Sequence, residues 1–121
     1  MNRKYSVFIF NVASCGDRYC GAYNREYSME EMFDRVKSIP LISAVDIVMN
    51  QQFRQNKPRI RENLQRCGLE TASVAVDTFG DPLFQQGSLS SIDEKIRHVA
   101  IERTMEAMDF AAELGCDTVT I

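Results

Sequence analysis

A chain of 121 residues, 45% hydrophobic and 26% charged, has the make-up of one ordinary globular domain large enough to bury a core. Its net charge of −3 offers no basic face to a phosphate backbone, which argues against nucleic acid as a partner. The apolar run at residues 5–13 is too short to span a bilayer and no small-residue cleavage pattern follows it. The expectation is a cytoplasmic protein with no membrane partner.

Residues 5–13 (YSVFIFNVA) form a nearly continuous apolar run, as expected of a strand covered on both faces. Residues 14–27 make a long polar and aromatic loop. Ser28 with Glu31 reads as a capping box opening a helix with Met29, Met32, Phe33 and Val36 on one side, ended by Pro40. Residues 44–49 (AVDIVM) predict a second strand and residues 50–56 a polar loop. Pro58 suits the first turn of a second helix, which carries Ile60, Leu64 and Cys67 on one side and stops at Gly68. Residues 71–76 (TASVAV) predict a third strand, and residues 77–90 another long loop.

The last helix is the longest. Ser91 reads as its N-cap with Glu94 completing a box. Ile96, Ala100, Ala107, Ala111 and Leu114 set its stripe, widened by Val99, Met108 and Ala112, and Gly115 ends it. Residues 116–121 then read as a fourth strand. The order β-α-β-α-β-α-β within a single domain spanning residues 1–121 predicts parallel strands joined by three right-handed crossover helices.

The helix-to-strand connections are short, whereas two of the three strand-to-helix loops are long and rich in Cys, Asp, Arg, Tyr, Phe and Gln. Ligands of α/β folds bind at the carboxyl ends of the strands, so the functional face is that of residues 14–27, 50–56 and 77–90. No glycine-rich phosphate motif occupies these turns, which argues against a dinucleotide or nucleoside triphosphate site. Asp17 and Arg18 are candidates for binding a polar ligand or form a solvated ion pair. Asp77, directly after the third strand, either contacts a ligand or starts an Asx turn. Phe79 and Phe84 either floor a pocket or close the sheet end hydrophobically. Asn50 and Gln51 carry the same two readings. His98, mid-helix among charged residues, is assigned to the surface. Cys15 and Cys20 lack the further thiolates of a zinc or iron–sulfur site, and Cys67 and Cys116 read as small apolar residues.

Three stretches together carry a resemblance. The first loop has Cys15-Gly16-Asp17-Arg18-Tyr19. Ser28-Met29-Glu30-Glu31-Met32 follows and runs on through Arg35-Val36, Ile39-Pro40 and Val45-Asp46-Ile47-Val48. Gly87-Ser88-Leu89-Ser90-Ser91 leads to Ile96-Arg97 and then Ala111-Ala112-Glu113-Leu114-Gly115-Cys116-Asp117. In this order and along the whole chain they resemble the N-terminal half of the sugar isomerase/epimerase group of the xylose isomerase-like TIM-barrel superfamily. The resemblance implies a partial (β/α)8 barrel of about four parallel strands, a sugar substrate, and a divalent metal such as Mn2+ or Mg2+ in the full-length family. Aldose–ketose isomerisation or ketose epimerisation is the implied chemistry.

The group's metal ligands lie on later strands, so the resemblance assigns no catalytic or metal residue here and no metal to this chain alone. It leaves Asp17, Arg18, Asp77, Phe79 and Phe84 as substrate-binding candidates. The chain by itself is expected to lack isomerase activity and to self-associate through open sheet edges, giving a homo-oligomer. Two rivals remain: a non-enzymatic α/β module that binds a small polar ligand or a partner subunit, and an abasic-site endonuclease of the same superfamily, which the charge disfavours.

Overall fold

The computed structural model describes residues 3–121 apart from 15, 18 and 21, so the readings made for Cys15 and Arg18 lie outside the described residues. Four parallel strands form one sheet in the order β1 (Tyr5–Phe8), β2 (Ile42–Met49), β3 (Glu70–Val76) and β4 (Val119–Thr120). Between them run α1 (Met29–Ser38), the pair α2 (Gln51–Gln55) and α3 (Lys57–Cys67), and α4 (Glu94–Glu113). Consecutive parallel strands, each linked by a helical crossover, are the arrangement of successive βα units of a (β/α)8 barrel.

Local chemistry explains the boundaries. Ser28 Oγ accepts the Glu31 N–H at 3.2 Å while Glu31 Oε2 accepts the Ser28 N–H at 2.8 Å, so the predicted capping box opens α1. Pro58 sits in the first turn of α3, and Gly68 ends that helix with φ 64°, a left-handed conformation that glycine adopts without Cβ strain. Gly115, at φ 68°, serves α4 in the same way.

Five details differ from the sequence reading. The first apolar run leaves the sheet after Phe8, and Ile9–Val12 form a 3-10 turn that buries Ile9 and Val12, three residues apart. Apolar content alone does not separate a buried strand from a buried helical turn. Residues 51–55 are a short helix rather than a loop, because the Asn50 side chain accepts the Phe53 N–H at 2.9 Å and Phe53 is buried.

The cap of α4 is Asp93, whose carboxylate accepts the Lys95 N–H at 2.8 Å. Ser91 is buried two residues earlier, where its Oγ accepts the Asp93 N–H. The buried stripe of α4 is Ala100, Ala107, Phe110 and Ala111, whereas Met108 is 55% exposed and Ala112 is exposed. The fourth strand is confined to Val119–Thr120, short of the six residues expected.

The core lies between the sheet and its helices. Val45, Ile47 and Met49 of β2 and Val74 and Val76 of β3 join Phe33, Val36, Ile60, Leu64 and Phe110 in one buried cluster. Phe33 and Phe53 stack at a centroid distance of 6.4 Å, tying α2 to α1. Phe8, Asp46 and Ser73 are in register across three strands, so they share one side of the sheet. Ser73 Oγ donates to Asp46 Oδ1 at 2.7 Å there. Phe8, Phe10 and Phe79 cluster with centroids 5.8–6.2 Å apart.

Candidate functional site

The carboxyl ends of the strands open into a cavity of 430 Å³ whose walls come from all three strand-to-helix segments. Phe10, Asp17, Cys20 and Tyr27 line it from the first segment, Asn50 and Gln52 from the second, and Asp77, Gly80 and Gln85 from the third. The described residues thus form a small-molecule-sized cavity on the face expected from loop length.

Asp77 is its innermost carboxylate. It follows directly on β3 and is 6% exposed. Its Oδ1 accepts the Gly80 N–H at 2.8 Å, which makes an Asx turn, while Oδ2 has no hydrogen-bond partner among the described residues. The structure shows the Asx turn of the sequence reading, and the same residue lines the cavity. Burial pushes its carboxyl above the ordinary value, and the Gly80 amide only partly offsets this. A carboxylate of this kind accepts hydrogen bonds from ligand hydroxyls and holds a proton more readily than a solvated one.

Asp17 is placed differently. Its Oδ1 accepts the N–H groups of Tyr19 and Cys20 at 2.7 and 2.8 Å, and Oδ2 accepts the Tyr23 hydroxyl at 2.9 Å. These bonds fold the first loop around the carboxylate at the cavity wall. Hydrogen bonding to Asp17, together with its negative charge, pushes the Tyr23 hydroxyl up from its ordinary value.

Phe79 packs edge-on to Phe10 at 5.8 Å and so backs a residue of the cavity wall. Phe84 is fully buried, with the Arg103 guanidinium 5.0 Å from its ring centroid, outside the cavity lining. Arg103 in turn donates to Asp81 at 2.7 Å. Burial works against the charge of Asp81, but the Leu83 amide and Arg103 outweigh it and hold its carboxyl below the ordinary range.

Sequence reasoning did not single out Phe10, Tyr27 or Gln52. Tyr27, in the cavity lining, carries two guanidiniums over its ring, Arg25 at 3.9 Å and Arg35 at 4.5 Å from its centroid. Tyr27 stands one residue ahead of Ser28, the N-cap of α1, a signal present in the sequence. Phe10 was hidden inside a run read as strand, and Gln52 inside a segment read as loop. His98 is exposed and pairs with Glu102 at 3.3 Å, in line with its surface assignment.

Among the described residues no three His, Cys, Asp or Glu side chains converge as metal ligands, so these residues do not fit a metal centre of their own. No described helix is long and apolar enough to cross a membrane.

No family model matches the chain. Part of it is similar to curated proteins that include xylose isomerases from two Thermus species. That of Thermus thermophilus is 33% identical over 71 residues, covering 59% of this chain and 18% of that protein. That of Thermus caldophilus is 33% identical over 63 residues, covering 52% and 16%. The aligned region is thus less than a fifth of the length of these curated relatives. The expected resemblance ran the length of the chain; the measured similarity extends over about half of it.

Proposed function

We propose that this chain provides the substrate-binding arc of a sugar isomerase/epimerase-like (β/α)8 protein. The observation that carries the reading is the conjunction of two facts. Partial similarity to xylose isomerases coincides with a cavity at the carboxyl ends of parallel strands, where barrel proteins hold their ligands. The wall chemistry suits a polyol. Asp77, Asn50 and Gln52 offer acceptors and amides to hydroxyl groups, and Phe10 and Tyr27 offer apolar ring faces to the C–H side of a sugar.

In this reading Asp77 accepts hydroxyl hydrogen bonds at the cavity floor, and the Asp17-centred loop orders one wall. Aldose–ketose isomerisation or epimerisation is the activity proposed for the whole protein, with a divalent metal such as Mn2+ or Mg2+. The role of these residues within it is to bind and orient.

Titration calorimetry of the 121-residue chain with D-xylose, D-xylulose, D-glucose and D-fructose, with and without Mn2+ or Mg2+, tests this. Saturable binding of at least one sugar, weakened by substitution of Asp77, is expected without turnover. No binding across the panel sinks the reading. Turnover overturns the assignment of these residues to binding alone.

A further inference from the structure

The strand-end cavity does not stop at its first chamber. A second cavity of 610 Å³ adjoins it and shares Asn50, Gln52, Asp77, Gly80 and Pro82 with it. Its remaining wall is Glu26, Gln51, Gln55, Asn56 and Asp81. Asp77 stands at the junction, more than nine-tenths buried, lining both spaces, with Oδ2 unpartnered among the described residues.

Two features fix what the second chamber recognises. Short helix α2 presents its side of the wall as amides, and the side chains of Gln51, Gln52 and Gln55 make no hydrogen bond among the described residues. An amide carries donors and an acceptor together, matching hydroxyls that also donate and accept. Among the described residues the charged groups that line the chambers are all acidic: Asp17 and Asp77 in the first, Glu26, Asp77 and Asp81 in the second. The nearby described guanidiniums are occupied, Arg103 by Asp81 and Arg54 by Glu106, each at 2.7 Å, Arg25 by Glu31 at 3.1 Å and Arg35 by the Val12 carbonyl at 3.0 Å. The described part of these walls, with Asp77 and Glu26 as carboxylates lacking a described cationic partner, favours a neutral ligand over a phosphate. The first chamber is itself within the usual range for one small molecule, about 300–1,000 Å³, so the second supplies room for another unit rather than slack around the first.

Resting on the sugar-binding reading of the cavity, we infer that the two chambers form one bent cleft with Asp77 at its elbow, and that the ligand is a neutral two-unit carbohydrate, a disaccharide or glycosylated polyol, whose second ring lies against the amides of α2.

Isothermal titration of the 121-residue chain with matched pairs tests this: D-xylose against xylobiose, D-glucose against cellobiose and maltose, with D-glucose 6-phosphate as the anionic arm. At least one disaccharide is expected to bind tenfold or more tighter than its monosaccharide, and the phosphate ester no tighter than glucose. The exposed pair Gln51→Leu/Gln55→Leu lines only the second chamber, so it should remove the disaccharide's advantage and leave monosaccharide affinity within twofold, with the thermal melt confirming the fold. Equal affinities within every pair, an advantage that survives the double variant, or tighter binding of the phosphate ester overturns the cleft while sugar binding itself stands. Failure of every sugar to bind removes both readings together.

Discussion

The carboxylate of Asp77 and the backbone of Gly80 are built around one another. Oδ1 takes the Gly80 N–H at 2.8 Å, and a Cβ added at position 80 would lie 2.6 Å from that same oxygen. The turn that follows β3 therefore has room for a glycine and for nothing larger unless Asp77 moves. Gly80→Ala is expected to displace the carboxylate, with a stability loss of about 1–3 kcal/mol from the broken buried hydrogen bond. Chemical denaturation checks the stability term. Calorimetry with the sugar that the wild-type chain binds best should show weakened affinity, and a fully stable variant with unchanged affinity contradicts this packing.

The pH dependence of Asp77 has a definite sign. Its folded pKa is raised above the ordinary 3.8, chiefly by burial, so the folded state prefers the protonated form. The resulting contribution is fully present below pH 3.8 and is lost as pH rises through the folded pKa, so at neutral pH the charged Asp77 works against stability. Asp77→Asn keeps an oxygen for the Gly80 N–H and removes that charge. It should melt higher than wild type at pH 7, with the gap closing toward pH 3.8. The same substitution should weaken sugar binding by about tenfold or more, the scale of one charge-assisted hydrogen bond. Parallel melts and titrations across pH 3–8 decide it.

Glu106 has the opposite sign. It sits in α4 between Arg54 of α2, at 2.7 Å, and Lys57 of α3, at 2.9 Å. Burial opposes its charge, but Lys57 and Arg54 prevail and hold its carboxyl below the ordinary 4.5. Stability from this group is present above pH 4.5 and is lost as pH falls through the depressed value. Glu106→Gln should cost on the order of 1 kcal/mol at pH 7 and low salt, and less in high salt, because the cluster is partly exposed. A double-mutant cycle with Arg54→Met measures the coupling.

Much of the architecture was legible because its signals are local. The Ser28 box, Pro58, Gly68 and Gly115 each act through one backbone geometry, and the alternation of elements implies parallel pairing. What escaped depends on partners distant in sequence. Phe110 is buried in the core cluster, with Lys57 and Arg61 of α3 over its ring, and the 3-10 turn after β1 forms because Ile9 and Val12 both find the core. The site was legible to the level of its loops. Asp77 stood out by following a strand, whereas the depth of Phe84 and the amide wall of α2 follow from packing.

Phe53 holds that amide wall in place. It is 1% exposed and stacked on Phe33, and it is the buried residue of the five-residue helix α2. Phe53→Ala is expected to cost about 3–5 kcal/mol in urea denaturation, as other large-to-small core substitutions do. In the folded fraction it should loosen α2, raising hydrogen exchange at residues 51–55 while leaving β2 and β3 protected. Unchanged exchange on α2 would mean that Asn50 alone fixes the helix.

Leu41 is the one described non-glycine residue with positive φ, at 70°, and it is 82% exposed. Its side chain gains little from burial, while its Cβ clashes with the following carbonyl in the left-handed region, at a cost of about 1–2 kcal/mol. Leu41→Gly removes that strain but gives the unfolded chain more freedom, worth about 0.4–1 kcal/mol in the other direction. The balance is a net gain of up to about 1 kcal/mol, seen as a raised melting temperature. Leu41→Asn, which tolerates the same conformation with less entropy added to the unfolded state, should match or exceed it. Leu41→Val should destabilise, because a β-branched side chain crowds the turn further. Equal melting of the glycine and valine variants would show that the turn between α1 and β2 carries no such strain.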